Sequence, residues 1–500
     1  MLAGWRRGEF SPLCDGGRSI VLPNVLPQKR HPLAEVGDSR RKARERLGIT
    51  NMPTLKTITL GCKVNQYETE FLREGFRRLG YRDAVEGEPA DLCVVNTCTV
   101  TARGDAKSRK AIRQLARDNP HAEIIVTGCY ATRAATEAAR LPGVTEIVSD
   151  KAELPDLLAR RGLENLPVGI SGFGLRHRAY VKVQDGCRMP CSYCIIPQVR
   201  PRLRSRPIEH VVDEVRRLGE GNGPAGGELS PVSRYGGYAA HREIVLTGIH
   251  LGHYGADLPA PAPKLADLVQ RLAELPGEFR IRLSSLEAAE VDDRLIDLLA
   301  AFPSRVCPHL HLSLQSGSDD VLRRMCRRDT VDSFLDRCRQ IEGRLDRPAL
   351  TTDLIVGFPG ETDADFAATC RVVEQVGFAK VHVFRFSPRS GTPAAAMPDQ
   401  VSEPLKRERM ALLETLSRRV RRQYLNSLIG RPLQVLIETP IEGQLNRWRG
   451  TSERYMPVEL PVAAERGGQF VVATPLRTLA GALIVEEGAV VAAGLLGAGA

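Results

Sequence analysis

The sequence predicts an α/β chain with three folded parts: an N-terminal parallel-sheet domain, a central partial (βα)6 barrel and a small C-terminal β-barrel. Three observations predict it. From Thr54 to about residue 390, short apolar runs alternate with segments whose apolar residues recur at helical spacing, the pattern of parallel strands joined by crossover helices. Cysteines and glycines gather where the apolar runs end, as functional loops at the carboxyl ends of parallel strands require. Beyond Pro432 the helical spacing gives way to short strand-like runs separated by turn residues.

The chain has 500 residues, 42% hydrophobic and 26% charged, a composition that suits about three globular domains. No run approaches the roughly 18 apolar residues of a membrane span, so no membrane partner is expected. A formal charge of +10 favours a polyanion such as RNA. Twelve cysteines are too dilute for a disulfide scaffold. Six sit in loop motifs; Cys14, Cys93, Cys307, Cys326, Cys338 and Cys370 read as ordinary thiols, and the set points to a reducing cytoplasm. Residues 1–53 are rich in Arg and Pro, with no apolar period and no signal-peptide core. They read either as a disordered tail or as sequence upstream of a true start at Met52.

In the first domain, 54–165, LKTITLG, ADLCVVNTC and AEIIVTGCY are strands, and ETEFLREGFRRLG and SRKAIRQLARDNP are helices. Each strand runs out at a cysteine: Cys62, Cys98 and Cys129. Neighbouring parallel strands bring such ends together, and three converging thiolates make an incomplete iron–sulfur site. The alternative is three cysteines buried at strand ends by chance.

The central domain, 173–404, offers six strands: AYVKVQDG, EIVLTGIH, RIRLSSLE, HLHLSLQSG, TTDLIVGFPG and KVHVFRFSP, with helical segments between them. Six such units make a partial barrel with its active site at the carboxyl strand ends. The first strand ends in DGCRMPCSYCIIP, which holds Cys187, Cys191 and Cys194 as CxxxCxxC. Three thiolates on one loop hold three irons of a four-iron cluster and leave the fourth open to chelation by an amino and a carboxylate group. A structural zinc would want four ligands in two separated pairs, and no further partner lies nearby. Arg200, Arg202, Arg204 and Arg206 follow, suited to clamping phosphate or a carboxylate, or else a solvated face. Residues 219–241 read as a Gly/Pro-rich surface insertion. His250 and His253 read as loop histidines with no assigned role.

GCKVNQYETE, NTCTV and TGCY, followed by DGCRMPCSYCIIP, resemble the methylthiotransferase branch of the radical S-adenosylmethionine (SAM) enzymes. The likeness runs from about Thr54 into the C-terminal region. Within the branch, GCKVN resembles the threonylcarbamoyladenosine tRNA enzymes, whereas isopentenyladenosine enzymes tend to GC-Q-M-N and those acting on a ribosomal-protein aspartate to GC-P-K-N. The resemblance implies a radical SAM barrel with two [4Fe–4S] clusters, one on each cysteine trio. It implies methylthio transfer to carbon 2 of N6-threonylcarbamoyladenosine in a tRNA anticodon loop, with SAM and a reducing electron donor as partners and no DNA. Isopentenyladenosine or a protein side chain as substrate, and a non-enzymatic iron–sulfur RNA-binding protein, are the alternatives. The family pattern implies SAM contacts at Thr247 and Gly248, Glu287, Gln315 and Ser316, and Gly357 and Phe358 in GFPGE, with Tyr193 beside the adenine. Family members usually carry glycine where Pro201 follows Arg200.

The C-terminal part opens with a connector helix, 405–426. LQVLIET, RYMPVELPV, QFVVATPL and ALIVEEG then give an OB-like barrel over 427–490, similar to the TRAM domain of the family. Arg447, Trp448, Arg449, Arg454 and Tyr455 combine cations and stacking rings, as single-stranded RNA binding requires, or else form an exposed β-hairpin with no ligand. An Ala/Gly tail, 491–500, closes the chain.

Overall fold

A computed structural model of the chain describes residues 52–166, 168–174, 176–221, 240–463 and 466–492. The N-terminal extension up to residue 51, the body of the 219–241 insertion and the end of the Ala/Gly tail lie outside the described residues. Among the described residues, no helix is long and apolar enough to cross a membrane.

The chain divides into two compact units, one of residues up to Leu60, Gly75–Cys98 and Asp105–Leu166, the other of Gly61–Glu74, Thr99–Gly104 and Pro167–Ala500. The first unit is a parallel sheet in the order β2-β1-β3-β4-β5: β1 Thr54–Thr59, β2 Arg82–Asp83, β3 Leu92–Thr97, β4 Glu123–Gly128 and β5 Val144–Ile147. Its central strand, LCVVNT, is buried at every position, as a strand covered on both faces by helices must be. The two short edge strands were not legible as runs. The helix over Lys63–Arg78 starts five residues before the segment read from sequence, which puts Lys63 in its first turn and Cys62 just before it.

In the second unit six parallel strands form the partial barrel: β6 Arg178–Asp185, β8 Glu243–Gly248, β9 Arg280–Leu283, β11 His309–Leu312, β12 Ala349–Val356 and β13 Lys380–Arg385. β7 Arg204–Ser205 runs antiparallel to β6, and β10 Ser285–Leu286 pairs with β11. The strands fall into two sheets, β7-β6-β8-β9 and β10-β11-β12-β13, and Ile281 of β9 makes a parallel bridge to Val306, three residues before β11. Alternation along the strands decides what each face does. Ala179, Val181, Val183, Ile244, Leu246, Ile281, Leu283, Leu310, Leu312, Leu350, Leu354 and Val381 belong to one apolar core with Phe334, Val373 and other helix residues. The positions between them are largely polar and share the opposite face.

The connector is a helix over Glu403–Asn426, capped by Ser402, whose hydroxyl accepts from Leu405 N, with Pro404 in its first turn. Arg409, on its buried side, bonds the carboxylates of Glu361 and Asp363 at 2.7 Å each and fixes the helix to the GFPGE turn. The C-terminal strands are β14 Leu433–Pro440, β15 Arg447–Ser452, β16 Pro457–Pro461, β17 Phe470–Ala473, β18 Arg477–Leu479, β19 Ala482–Ile484 and β20 Val490–Ala492. They form an antiparallel-rich sheet, β18-β19-β16-β15-β14-β17-β20, around a core of Leu433, Val435, Val458, Leu460 and Val471. Residues 490–492, where the tail was expected to begin, pair with β17.

Candidate functional site

The loop after β6 carries Cys187, Cys191 and Cys194 as free thiols. Gly186 opens it at φ +81°, where a Cβ would stand 1.9 Å from Arg202 O, so only glycine lets the chain turn here. Cys187 N donates to Arg200 O at 3.0 Å, and Cys194 N to Cys191 O at 3.0 Å. Ser192 N donates to Met325 O at 3.0 Å and its hydroxyl to Arg324 O at 2.7 Å, which seats the loop on the end of the 319–324 helix. Met189 N donates to Cys187 Sγ at 3.4 Å. Burial pushes the Cys194 thiol up to about 12 and raises Cys191, with Arg327 beside the latter. Buried thiols of this kind stay protonated unless a metal takes the proton's place. Two such thiols, with Cys187 beside them on the same loop and the Met189 N–H aimed at its sulfur, therefore fit a cluster ligand set.

In the first unit, β3 and β4 deliver Cys98 and Cys129 directly after the paired residues Thr97 and Gly128. Gly128 has φ +94°, and a Cβ there would lie 2.3 Å from the Thr97 backbone, so the two strand ends approach closely because the residue before Cys129 has no side chain. Ser108 fixes the Cys98 turn, accepting from its N–H at 3.3 Å and donating to its carbonyl at 3.0 Å. In the second unit, Cys62 Sγ donates to Asn65 Oδ1 at 3.7 Å. Arg200 Nη2 donates to the same oxygen at 2.9 Å, and its Nη1 to Asp185 Oδ1 at 2.7 Å, two residues before Cys187. One buried guanidinium thus ties the Cys62 turn to the CxxxCxxC loop.

Two partners of that loop were missed in the sequence. Gln184 donates to the carbonyls of Asp185 and Gly186 at 2.8 Å each and accepts from His250 N at 2.8 Å. His250 Nδ1 lies 3.5 Å from Cys187 Sγ; its Nε2 bonds Glu290, and its ring stacks on His253 at 3.8 Å. The one signal was their place at the carboxyl ends of β6 and β8, where barrel chemistry gathers.

Residues 54–149 match the model of the uncharacterized protein family UPF0004, and residues 232–373 that of the radical SAM superfamily. The chain is 37% identical over 436 residues to the threonylcarbamoyladenosine tRNA methylthiotransferase MtaB of Thermotoga maritima, covering 84% of this chain and 93% of that protein. It is 37% identical over 443 residues to the enzyme of the same name from Bacillus subtilis, with the same coverage. With the tRNA-2-methylthio-N(6)-dimethylallyladenosine synthase of Desulfitobacterium hafniense it shares 31% over 457 residues, 85% of this chain and 95% of that one. The chain belongs to the radical SAM methylthiotransferase family. Its cofactors are SAM and [4Fe–4S] clusters.

For a radical SAM methylthiotransferase, the positions matched to SAM contacts fall into two groups. Thr247 is buried and Gly248 half-buried where β8 ends beside Gln184. Gln315 takes φ +74° and bridges β12, donating from its N–H to Asp353 O and accepting from Ile355 N, both at 2.9 Å. These stand at carboxyl strand ends. Others are engaged by the fold. Glu287 is paired through both carboxylate oxygens with Arg327. Ser316 Oγ accepts from Ser318 N at 3.3 Å. Gly357 N donates to Glu361 Oε2 at 2.7 Å, and Phe358 is fully buried with Val321, Met325 and Phe386, against which Tyr193 packs.

The arginines sort likewise. The reading of Arg200 and Arg206 as phosphate clamps gives way to buried pairing. Arg200 bonds Glu68 and Asp185, and Arg206 bonds Glu214 and, at 3.1 Å, the Tyr67 hydroxyl. Arg202 is exposed and Arg204 half-buried. Arg454, read as an RNA contact, is buried against Glu453 and the Asp346 carbonyl. Tyr455 lies across Arg282 at 4.6 Å and Arg178 at 5.2 Å. On β15, Arg449 is exposed and pairs with Glu459 at 3.0 Å, Arg447 is half-buried, and Trp448 packs partly against the C-terminal core.

Proposed function

We propose that this chain transfers a methylthio group to carbon 2 of N6-threonylcarbamoyladenosine next to the anticodon of a tRNA in the cytoplasm. The observation that carries the reading is the CxxxCxxC loop at the carboxyl end of β6, in a chain 37% identical along most of its length to enzymes named for that substrate. In this reading Cys187, Cys191 and Cys194 hold one cluster within the 173–404 core, and Cys62, Cys98 and Cys129 hold another on the 54–165 domain. When bound, one cluster would pass on an electron from an external donor, SAM would supply the methyl group and a carbon-centred radical able to take a hydrogen that no side-chain base removes at a useful rate, and the other cluster would offer an open iron where sulfur can wait.

The protein's own residues hold and exclude. Gln184 and Arg200 fix the cluster loop; Thr247, Gly248 and the backbone at Gln315 and Gly357 line the strand ends where SAM is expected, with Tyr193 and Glu287 at its edge. The 427–490 domain, through Arg447, Trp448 and Arg449, together with Arg202 and with Arg204 of β7, binds the RNA. The base must leave its stack to reach the barrel, which costs least in an unpaired anticodon loop.

Mass spectrometry of tRNA nucleosides tests this. A strain lacking the gene is expected to accumulate N6-threonylcarbamoyladenosine and lose its methylthio form, restored by the gene and not by Cys191→Ala. Accumulation of isopentenyladenosine instead would reassign the substrate.

A further inference from the structure

The inner face of β11, β12 and β13 carries a polar cluster that the cysteine chemistry does not use. Leu310, Leu312, Leu350, Leu354 and Val381 point into the core shared with the helices, so His311, Asp353 and His382 share the opposite face. The register brings them together: His311 stands opposite Thr351, and Asp353 opposite His382. His311 Nε2 is 3.4 Å from Asp353 Oδ2, and its Nδ1 is 3.0 Å from Thr351 Oγ1. The His311 and His382 rings meet edge-on at 5.7 Å. One polar atom from each of the three residues lies within 4.8 Å of the others, and all three are half-buried. Lys63, in the first turn of the 63–78 helix, is half-buried too, and its charge acts on Asp353 and His382.

Two imidazoles and a carboxylate are also a donor set for a transition metal. Both nitrogens of His311 already face an oxygen, which favours a hydrogen-bonding pocket over an ion site. We infer that Lys63, His311, Asp353 and His382 read the threonylcarbamoyl group of the substrate base. The inference rests on the substrate proposed above and deepens it. That group brings one carboxylate, one hydroxyl and a urea. Lys63 supplies the counter-charge for the carboxylate, Asp353 accepts from the hydroxyl or a urea N–H, His382 serves as donor or acceptor, and His311 holds Asp353 in place. An adenine without the group, or with an isopentenyl chain, would bring nothing to the charge of Lys63 or to the polar atoms of Asp353 and His382, which is how such a site rejects an analogue.

The test is equilibrium binding of the cluster-reconstituted full-length chain to three anticodon stem-loop RNAs. They carry threonylcarbamoyladenosine, adenosine or isopentenyladenosine at the position beside the anticodon. The wild-type chain is expected to favour the first by about tenfold or more. His382→Leu and Asp353→Leu should each bring that ratio close to one. Affinity for the adenosine RNA should stay within about twofold, since backbone contacts carry it. His382→Asn, a smaller polar change, carries the test should the leucine variants fail to fold. Lys63 is left intact because it adjoins Cys62. Variants that keep the full preference would overturn the pocket while leaving the substrate standing. A wild-type chain with no preference would overturn the substrate and the pocket together.

Discussion

Arg200 and Glu68, 132 residues apart in sequence, meet in a buried bidentate pair: Nη1 to Oε1 and Nη2 to Oε2, each at 2.8 Å, with both side chains 2% exposed. Lys182 adds a second cation, 3.0 Å from Glu68 and 3.2 Å from Asp185, so two carboxylates and two cations balance. Burial alone would raise the Glu68 carboxyl; Arg200 and Lys182 hold it below its ordinary value. The same guanidinium reaches Asn65 and Asp185, so its loss should be felt at both cysteine-bearing turns.

Arg200→Met is therefore expected to destabilise the chain by about 3 kcal/mol, because it strands Glu68 and Asp185 with one shared cation. Denaturant unfolding of the cluster-free protein measures this. A loss below about 0.5 kcal/mol, the size of an exposed-pair effect, would contradict the buried-network account.

Gly128→Ala places a methyl group 2.3 Å from the Thr97 backbone at a φ that side chains rarely adopt. The expected cost is about 3 kcal/mol or more, from strain and overlap together. Iron bound on reconstitution should fall with it, since Cys129 is the next residue. Thermal unfolding and iron content are the two readouts; a variant with wild-type values in both would show that the strand ends do not need their close approach.

His241 sets an acid sensitivity. Burial, with His177 adding to it, holds the ring down at about 4, against an ordinary 6.5, while its Nε2 accepts from Phe173 N at 3.0 Å. Between those two values the unfolded chain binds a proton that the folded chain refuses, so stability is present above pH 6.5 and is lost as the pH falls toward 4. The full loss from this one group is roughly 3 kcal/mol. Unfolding free energies at pH 7 and pH 5 should differ less for His241→Gln than for the wild type; an equal difference would remove His241 from the account.

The cysteines were legible because each trio is written in local spacing or at the end of an apolar run, and both signals survive without knowing the partners. The barrel strands were legible for the same reason. Arg200 was not: the nearest charged residues after it are other arginines, and its partner Glu68 lies in the Lys63–Arg78 helix. Arg454 failed in part likewise: Glu453 is its neighbour in the chain, but Asp346, whose carbonyl it also meets, is 108 residues away. His311, Asp353 and His382 carry no motif, because a polar residue at every second position of a strand marks an inner face only once the sheet has closed. β15 escaped notice because RWRGTS is polar and charged, and its place comes from pairing on both sides, with β14 and β16.

The central claim is that two separate cysteine trios each hold a cluster. Iron and sulfide analysis after anaerobic reconstitution tests it most directly. The wild type should hold about eight irons per chain, and the Cys62/Cys98/Cys129→Ala and Cys187/Cys191/Cys194→Ala variants about four each. A wild-type chain with only about four irons, or a triple variant that keeps the full wild-type complement, would contradict it.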